Sequence, residues 1–347
     1  MDINVNEMIA YKYRSGRGTK DSEGKDVFER DIELLSCDTI YVPTVEQLND
    51  PAESLVDDGV FKAQLKLLKP FVSQDVVNGV EKSIQSLFKS IRSSGVYSLS
   101  KTIENELMWA YYASGHNGYA IIFDTSVLAN SFEQGKYGGM YEIDVKYSSK
   151  LPRFDLSKID KRMDEILSCL EGTKSKAWEH EAEHRLIFDK GGLCLKIDYR
   201  AIKGFVFGCR MNEADIDYVM KTFSGRDLEY YKVELKGDSY KLSLKKMEDN
   251  YPAAEKYCPN SVGYDIDMLL DVDKCAEGVG YNYRTFVEEA LREISHEPFV
   301  TAISHIVVSD DKQYPHIMIW TKVKQDGSVK RMRSFEYDII DGNLIRV

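Results

Sequence analysis

The densest set of chemically capable side chains lies in Trp178-Glu-His-Glu-Ala-Glu-His-Arg185, which runs directly into the apolar Leu186-Ile-Phe188. If the segment is a strand from Glu181 onward, side chains alternate between faces. Glu181, Glu183 and Arg185 then share one face, and Ala182, His184 and Leu186 take the other. Carboxylates two apart on a face repel each other and raise the pKa of at least one, while a neighbouring guanidinium opposes the shift. Such a set can hold a ribose hydroxyl, stabilise a cationic transition state or act as a general base. Two plainer readings stay open: a solvated Glu/Arg ladder on a strand, and an exposed i,i+4 pair of Glu181 with Arg185 on a helix. His180 and His184 stand four apart, as zinc ligands on a helix do, yet a metal role is not expected of them.

Two further segments carry candidates. Asn49-Asp50-Pro51, with Glu53 close behind, reads first as a turn, because Asx side chains cap their own backbone and proline fixes the next dihedral. It is also a bend rich in polar groups. Glu106-Leu-Met-Trp-Ala-Tyr-Tyr112, followed by Gly115-His-Asn-Gly118, places Trp109 on a helix and His116 in a loop before a buried strand. Aromatic residues at this density are usually core, and a loop histidine is more often merely exposed.

The elements that must position these residues are those of an α+β fold. Strands are expected at Ile9 to Arg14, Thr39 to Pro43, Val96 to Ser100, Gly118 to Asp124, Met140 to Tyr147, Arg185 to Asp189, Leu193 to Asp198 and Ile202 to Phe207. Helical spacing marks Phe28 to Leu35, two helices between Gly59 and Ile91 broken at Pro70 and covering a sheet, Asn105 to Tyr112, and Asn212 to Phe223. A hairpin is expected across Tyr231 to Leu244. The first domain is placed at 1–248 and an accessory domain at 249–347. The latter opens on an irregular bridge to Gly280, continues with a helix over Tyr283 to Ile294, and ends in a three-stranded meander turned by Asp326-Gly327 and Asp341-Gly342.

Composition narrows the function. With 43% hydrophobic and 30% charged residues, the 347-residue chain has the balance of a globular protein, and its length favours two domains. A net charge of −11 opposes general nucleic-acid binding, which requires a basic field. The run of Lys322, Lys324, Lys330, Arg331 and Arg333 is followed closely by acids and reads as a solvated strand face. No apolar stretch approaches the roughly 20 residues needed to cross a bilayer, and Met1 to Tyr13 lacks the order of a signal peptide, so a cytoplasmic location and no membrane partner are expected. Six scattered cysteines without a Cys-x-x-Cys pair read as reduced thiols.

The blocks Tyr11 to Arg14, Leu48 to Ala52, Leu107 to Tyr112 with His116 and Gly118, and Trp178, Glu181, Glu183 and Arg185 together resemble the bacterial domain of unknown function family 2971 over roughly residues 8–248. Leu48 and Ala52 stand where that family usually has aromatic residues. The arrangement resembles, more loosely, ADP-ribosyltransferase-like folds. These place a basic residue on an early strand, a polar residue on a middle strand and a glutamate of a Glu-x-Glu pair on a later one. Arg14, Tyr41 or Ser98, and Glu183 fit those parts. The resemblance implies an enzyme acting on NAD or a nucleotide, an ADP-ribosyltransferase or NAD glycohydrolase, in a toxin, stress or phage-defence setting. Glu183 and Glu181 would be catalytic. Arg14, Tyr41, Asn49, Asp50, Ser98, Trp109, His116, Trp178 and Arg185 would contact substrate, and the C-terminal domain would recognise a protein partner. The alternative is a non-catalytic module in which Trp109, Trp178 and the charged cluster bind a ligand or protein.

Overall fold

The computed structural model describes residues 8–132, 140–154, 163–253, 255–271, 282–310, 313–324 and 331–347. The expected Asp326-Gly327 turn, Lys330 and Cys275 lie outside the described residues. The chain divides into two compact units, Met1–Ala254 and Glu255–Val347.

The elements of unit 1 are, in order, β1 (Ile9–Arg14), α1 (Val27–Ser36), β2 (Thr39–Val42), α2 (Gly59–Leu68), α3 (Gln74–Ser93), β3 (Gly95–Ser100), α4 (Glu106–Tyr112), β4 (Tyr119–Asp124), α5 (Thr125–Asn130), β5 (Met140–Asp144), β6 (Lys146–Ser148), α6 (Met163–Glu171), β7 (Thr173–Ser175), β8 (Glu183–Phe188), β9 (Leu193–Lys196), β10 (Ile202–Phe207), α7 (Glu213–Thr222), β11 (Glu229–Leu235) and β12 (Leu242–Met247). Eight strands form one sheet in the order β12-β11-β10-β4-β1-β3-β8-β5. Every neighbouring pair is antiparallel except β10 and β11, which α7 connects in parallel. The unit is thus mixed α+β with a mainly antiparallel sheet, as the sequence implies.

Short polar residues start the helices by accepting the first free backbone N–H groups. Asp26 caps α1, Asn105 caps α4, Asp124 caps α5 and Asn212 caps α7. All six residues of β4 are buried, because the sheet is covered on both faces. Tyr119, Ile121 and Phe123 pack under α1 with Phe28 and Ile32, whereas Ala120 and Ile122 face Tyr11, Tyr13 and Trp109. The pair α2 and α3 departs from expectation. Its apolar stripe packs on Phe154 and on Ile166 and Leu170 of α6, forming a separate small core instead of covering the sheet.

Unit 2 contains α8 (Ile266–Asp271), α9 (Arg284–Ser295) and a sheet of β13 (Val300–Ser309), β14 (His316–Val323), β15 (Arg331–Ile340) and β16 (Asn343–Arg346), paired antiparallel in that order. The meander therefore has four strands, not three, and α8 falls in the stretch expected to be an irregular bridge. β13 was hidden because its register shifts twice against β14, between Val300 and Ala302 and between Ile303 and His305. Such bulges break the alternation by which a strand is recognised. Asp341 and Gly342 have φ of 50° and 75°, the left-handed pair that a primed two-residue turn requires. Among the described residues, no helix is long and apolar enough to cross a membrane.

Candidate functional site

The large sheet is not continuous. β1 pairs with β4 through six consecutive residues from Ile9↔Asp124 to Arg14↔Tyr119, but meets β3 only at Tyr11↔Ser100. Beyond that point the two strands part, and a cavity of about 210 Å³ lies in the fork between Lys12 to Arg14 and Ser98 to Ser100. The bend at Leu48 and Asn49, Tyr112 of α4, Lys174 of β7, and Glu181 and Glu183 complete its walls. Gly118 helps to hold the β1 side in place, since a Cβ there would meet the Arg14 carbonyl oxygen at 2.2 Å.

The acidic wall forms at a kink. Residues Lys176–Glu181 make a 3-10 turn, Ala182 adopts the left-handed φ of 43°, and β8 begins only at Glu183. Glu181 is therefore not on the strand, contrary to the period-two reading, yet the kink brings it to the same ammonium as Glu183. Lys174 Nζ lies 2.5 Å from Glu181, 3.3 Å from Glu183 and 3.7 Å from Glu53. Arg185 grips Glu183 along the strand through Nε at 2.9 Å and Nη2 at 3.0 Å, and donates from Nη1 to Glu53 and to the Glu171 carbonyl, each at 2.7 Å. Glu53, Glu181, Glu183 and Arg185 are all buried. The cluster is thus a buried ion network of three acids and two bases, not a solvated ladder.

Environment divides the two cavity acids. Burial pushes Glu181 above the usual carboxylate range, more than Lys174 and Tyr112 oppose it. Tyr112 donates to Glu181 at 2.5 Å. Burial also disfavours the charge on Glu183, but Arg185 and Lys174 outweigh it and hold its pKa at about 2. For Lys174, burial pulls the ammonium down while Glu183, Glu181 and Glu53 more than restore it, so it stays protonated above its usual value.

The opposite wall is basic. Arg14 is ion-paired with Asp31 of α1, its Nε 2.6 Å from the carboxylate. Lys12 donates to the Ser98 carbonyl at 2.7 Å and lies over the Tyr97 ring. Burial first, and Arg14 next to it, lower the Lys12 pKa to about 7. Its amine should accordingly lose its proton near neutrality, deprotonated above about pH 7 and protonated below. Competitive acylation of the folded chain read by mass spectrometry will give Lys12 a midpoint at about 7. In urea the midpoint will return to the roughly 10.4 of a free lysine. A folded-state midpoint equal to that of surface lysines would contradict this geometry.

Several expected substrate contacts lie elsewhere. Trp109 is fully buried, edge-on to Tyr13 at 5.1 Å with Nε1 donating to the Ile103 carbonyl at 2.7 Å, because a helix face of this apolar content turns to the core. His116 sits in the turn after α4 with φ of 70° and stacks on Trp109, away from the cavity. Asp50 is spent on its own turn, accepting from the Ala52 N–H at 2.9 Å. Tyr41 does not reach the main cavity; it donates to Gln47 at 3.0 Å and lines a pocket of about 30 Å³ behind Lys12 and Arg14. Trp178 covers Lys174, whose ammonium is 5.2 Å from its ring, and Arg185 acts through Glu183 and Glu53 without lining the cavity. Arg14, Asn49, Ser98, Glu181 and Glu183 do line it, joined by Lys12, Tyr112 and Lys174, which were not among the expected site residues.

The letters His180-Glu-Ala-Glu-His184 satisfy the His-Glu-x-x-His spacing, but that zinc motif works on a helix, where both rings share a face. Here the kink at Ala182 intervenes. His180 Nδ1 is 3.2 Å from the Ala177 carbonyl, and His184 lies between Asp144 and Glu142 of β5 at 2.9 and 3.0 Å.

Fold and site together define an α+β protein with a polar cavity in a split antiparallel sheet, acidic on one wall and basic on the other. A family model described as a protein of unknown function (DUF2971) matches residues 108–186, a span that includes Tyr112, Lys174, Glu181, Glu183 and Arg185. No curated protein and no solved structure matches the chain.

Proposed function

We propose that unit 1 acts on a nucleotide, with NAD the first candidate, at the N-glycosidic bond of its ribose. The observation that carries this reading is the pair of cavity carboxylates driven in opposite directions, Glu181 upward and Glu183 downward. Two acids so divided can share the work of such a cleavage. Glu183 is an anion suited to an oxocarbenium-like ribose, and Glu181, when ionised, can take the proton of the incoming nucleophile, while nicotinamide leaves NAD as a neutral pyridine and needs none. On the other wall Lys12, Asn49 and Ser98 suit the ribose hydroxyl groups, and Arg14 is held in place by Asp31. The cavity of about 210 Å³ is below the roughly 300–1,000 Å³ that encloses a whole ligand. It would therefore take the reacting ribose and leave the rest of the molecule at its mouth. A chain that consumed NAD would drain the cellular pool, which is how a toxin or phage-defence role would arise.

Incubation with NAD, with nicotinamide release followed by chromatography, tests the reading. Glu181→Gln and Glu183→Gln should each slow release by about 10²–10⁴-fold, the usual contribution of a positioned acid or base. Turnover by Glu183→Gln equal to that of the wild type would remove Glu183 from the mechanism. A second reading, recognition without turnover, is favoured by one observation: Arg185 and Lys174 already occupy both oxygens of Glu183. Nucleotide binding by calorimetry without any nicotinamide release would select it.

A further inference from the structure

Away from the cavity, the connection between α2 and α3 has an unusual surface. Every residue from Lys66 to Val76 is exposed. Within residues 67–76 this stretch presents Leu67, Leu68, Phe71, Val72 and Val76 to water, with Leu67 72% and Phe71 84% exposed. Single exposed apolar side chains are ordinary, but a contiguous group of them marks an interaction site. The group is not the fringe of an unfinished core, since Phe61 and Leu65 of α2 and Val77 and Ile91 of α3 already close their own cluster.

The charge of the same segment differs from that of the chain. Residues 59–93 carry six Lys and Arg against two acids, Asp75 and Glu81, a net +4 in a protein of net −11. Lys66 and Lys69 flank Leu67 and Leu68 directly. Apolar side chains on a projecting turn, rimmed by lysines, match the chemistry of interfacial membrane anchors. In these, rings and aliphatic groups enter the headgroup boundary and ammonium groups meet lipid phosphates.

We propose that the α2–α3 turn is a docking surface for an anionic lipid bilayer, with Leu67, Phe71 and Val72 entering the interface and Lys66 and Lys69 contacting the headgroups. Peripheral contact of this kind needs no crossing helix, and it is independent of what the cavity does. Positive charge selects an acidic surface. A turn whose apolar groups are exposed and flanked by lysines suits insertion into an anionic interface.

Cosedimentation of the full chain with phosphatidylcholine vesicles, with and without phosphatidylserine, tests the proposal. The wild type should pellet with phosphatidylserine-containing vesicles and remain in solution with phosphatidylcholine alone, and added salt should release it. Phe71→Asp should weaken binding by at least about tenfold, as expected from losing one inserted ring and adding a repelled charge. Lys66→Glu with Lys69→Glu should abolish the preference for phosphatidylserine. All three residues are exposed, so circular dichroism should stay unchanged. Failure of the wild type to bind either vesicle, or equal binding by Phe71→Asp, would overturn the proposal. So would a wild-type dimer that Phe71→Asp converts to a monomer, since the surface would then be a contact between copies of this chain.

Discussion

Arg185→Met will destabilise unit 1 by about 3–5 kcal/mol, the cost of removing one partner from a buried ion network. The side chain is 1% exposed and supplies four hydrogen bonds, two to Glu183, one to Glu53 and one to the Glu171 carbonyl. Methionine fills much of the same space, so the effect isolates charge and hydrogen bonding from packing. What remains would be three carboxylates around Lys174 alone. Urea unfolding followed by tryptophan fluorescence, to which Trp109 and Trp178 of unit 1 and Trp320 of unit 2 all contribute, measures the change. The double variant Arg185→Met with Glu183→Gln should cost less than the sum of its parts, because the second substitution removes a charge that the first leaves unpaired. Additive costs would mean that the two side chains do not act as a pair.

Trp109→Ala will cost a similar amount, about 3–5 kcal/mol, through cavity formation in the core. The indole is fully buried between α4 and the sheet, touches Tyr13 edge-on, and holds the Ile103 carbonyl. A residue that contacts substrate would instead be expected to change ligand affinity with little loss of stability. Thermal unfolding combined with nucleotide titration at a temperature where the variant is still folded separates the two. The expected result is a large drop in Tm with affinity nearly unchanged, and the reverse pattern would return Trp109 to the site.

Much of the fold was legible because its elements carry strong local signals. β4 reads as an unbroken apolar run since both its faces are covered, and α7 announces itself through the helical spacing of its apolar residues. β13 was lost to two bulges that break its alternation. The site was legible in part. Glu181, Glu183 and Arg185 were found through their spacing, although the strand assumed to align them begins two residues later than Glu181. The ion network achieves by a left-handed Ala182 what strand geometry was expected to provide. Lys12 and Tyr112 lie within the blocks quoted above but were given no role at the site, and Lys174 escaped notice because a lone lysine has no spacing to betray it. Their importance arises only when distant segments meet: Lys174 touches acids from residue 53 and from residues 181 and 183. Trp109 and His116 failed for the opposite reason, since a rare side chain beside a turn looks functional when it is packing.

The single point of pairing between β1 and β3 has a mechanical meaning. Elsewhere in the sheet each strand is fastened to its neighbours along several residues, but here the two halves meet like a zip undone below its first tooth. A guest lodged in that gap would serve as mortar between β1 and β3, replacing ladder bonds that the chain itself does not make. Occupancy would then stiffen the two halves into one plate, and backbone amides of Lys12 to Arg14 and of Tyr97 to Leu99 would be the first to feel it.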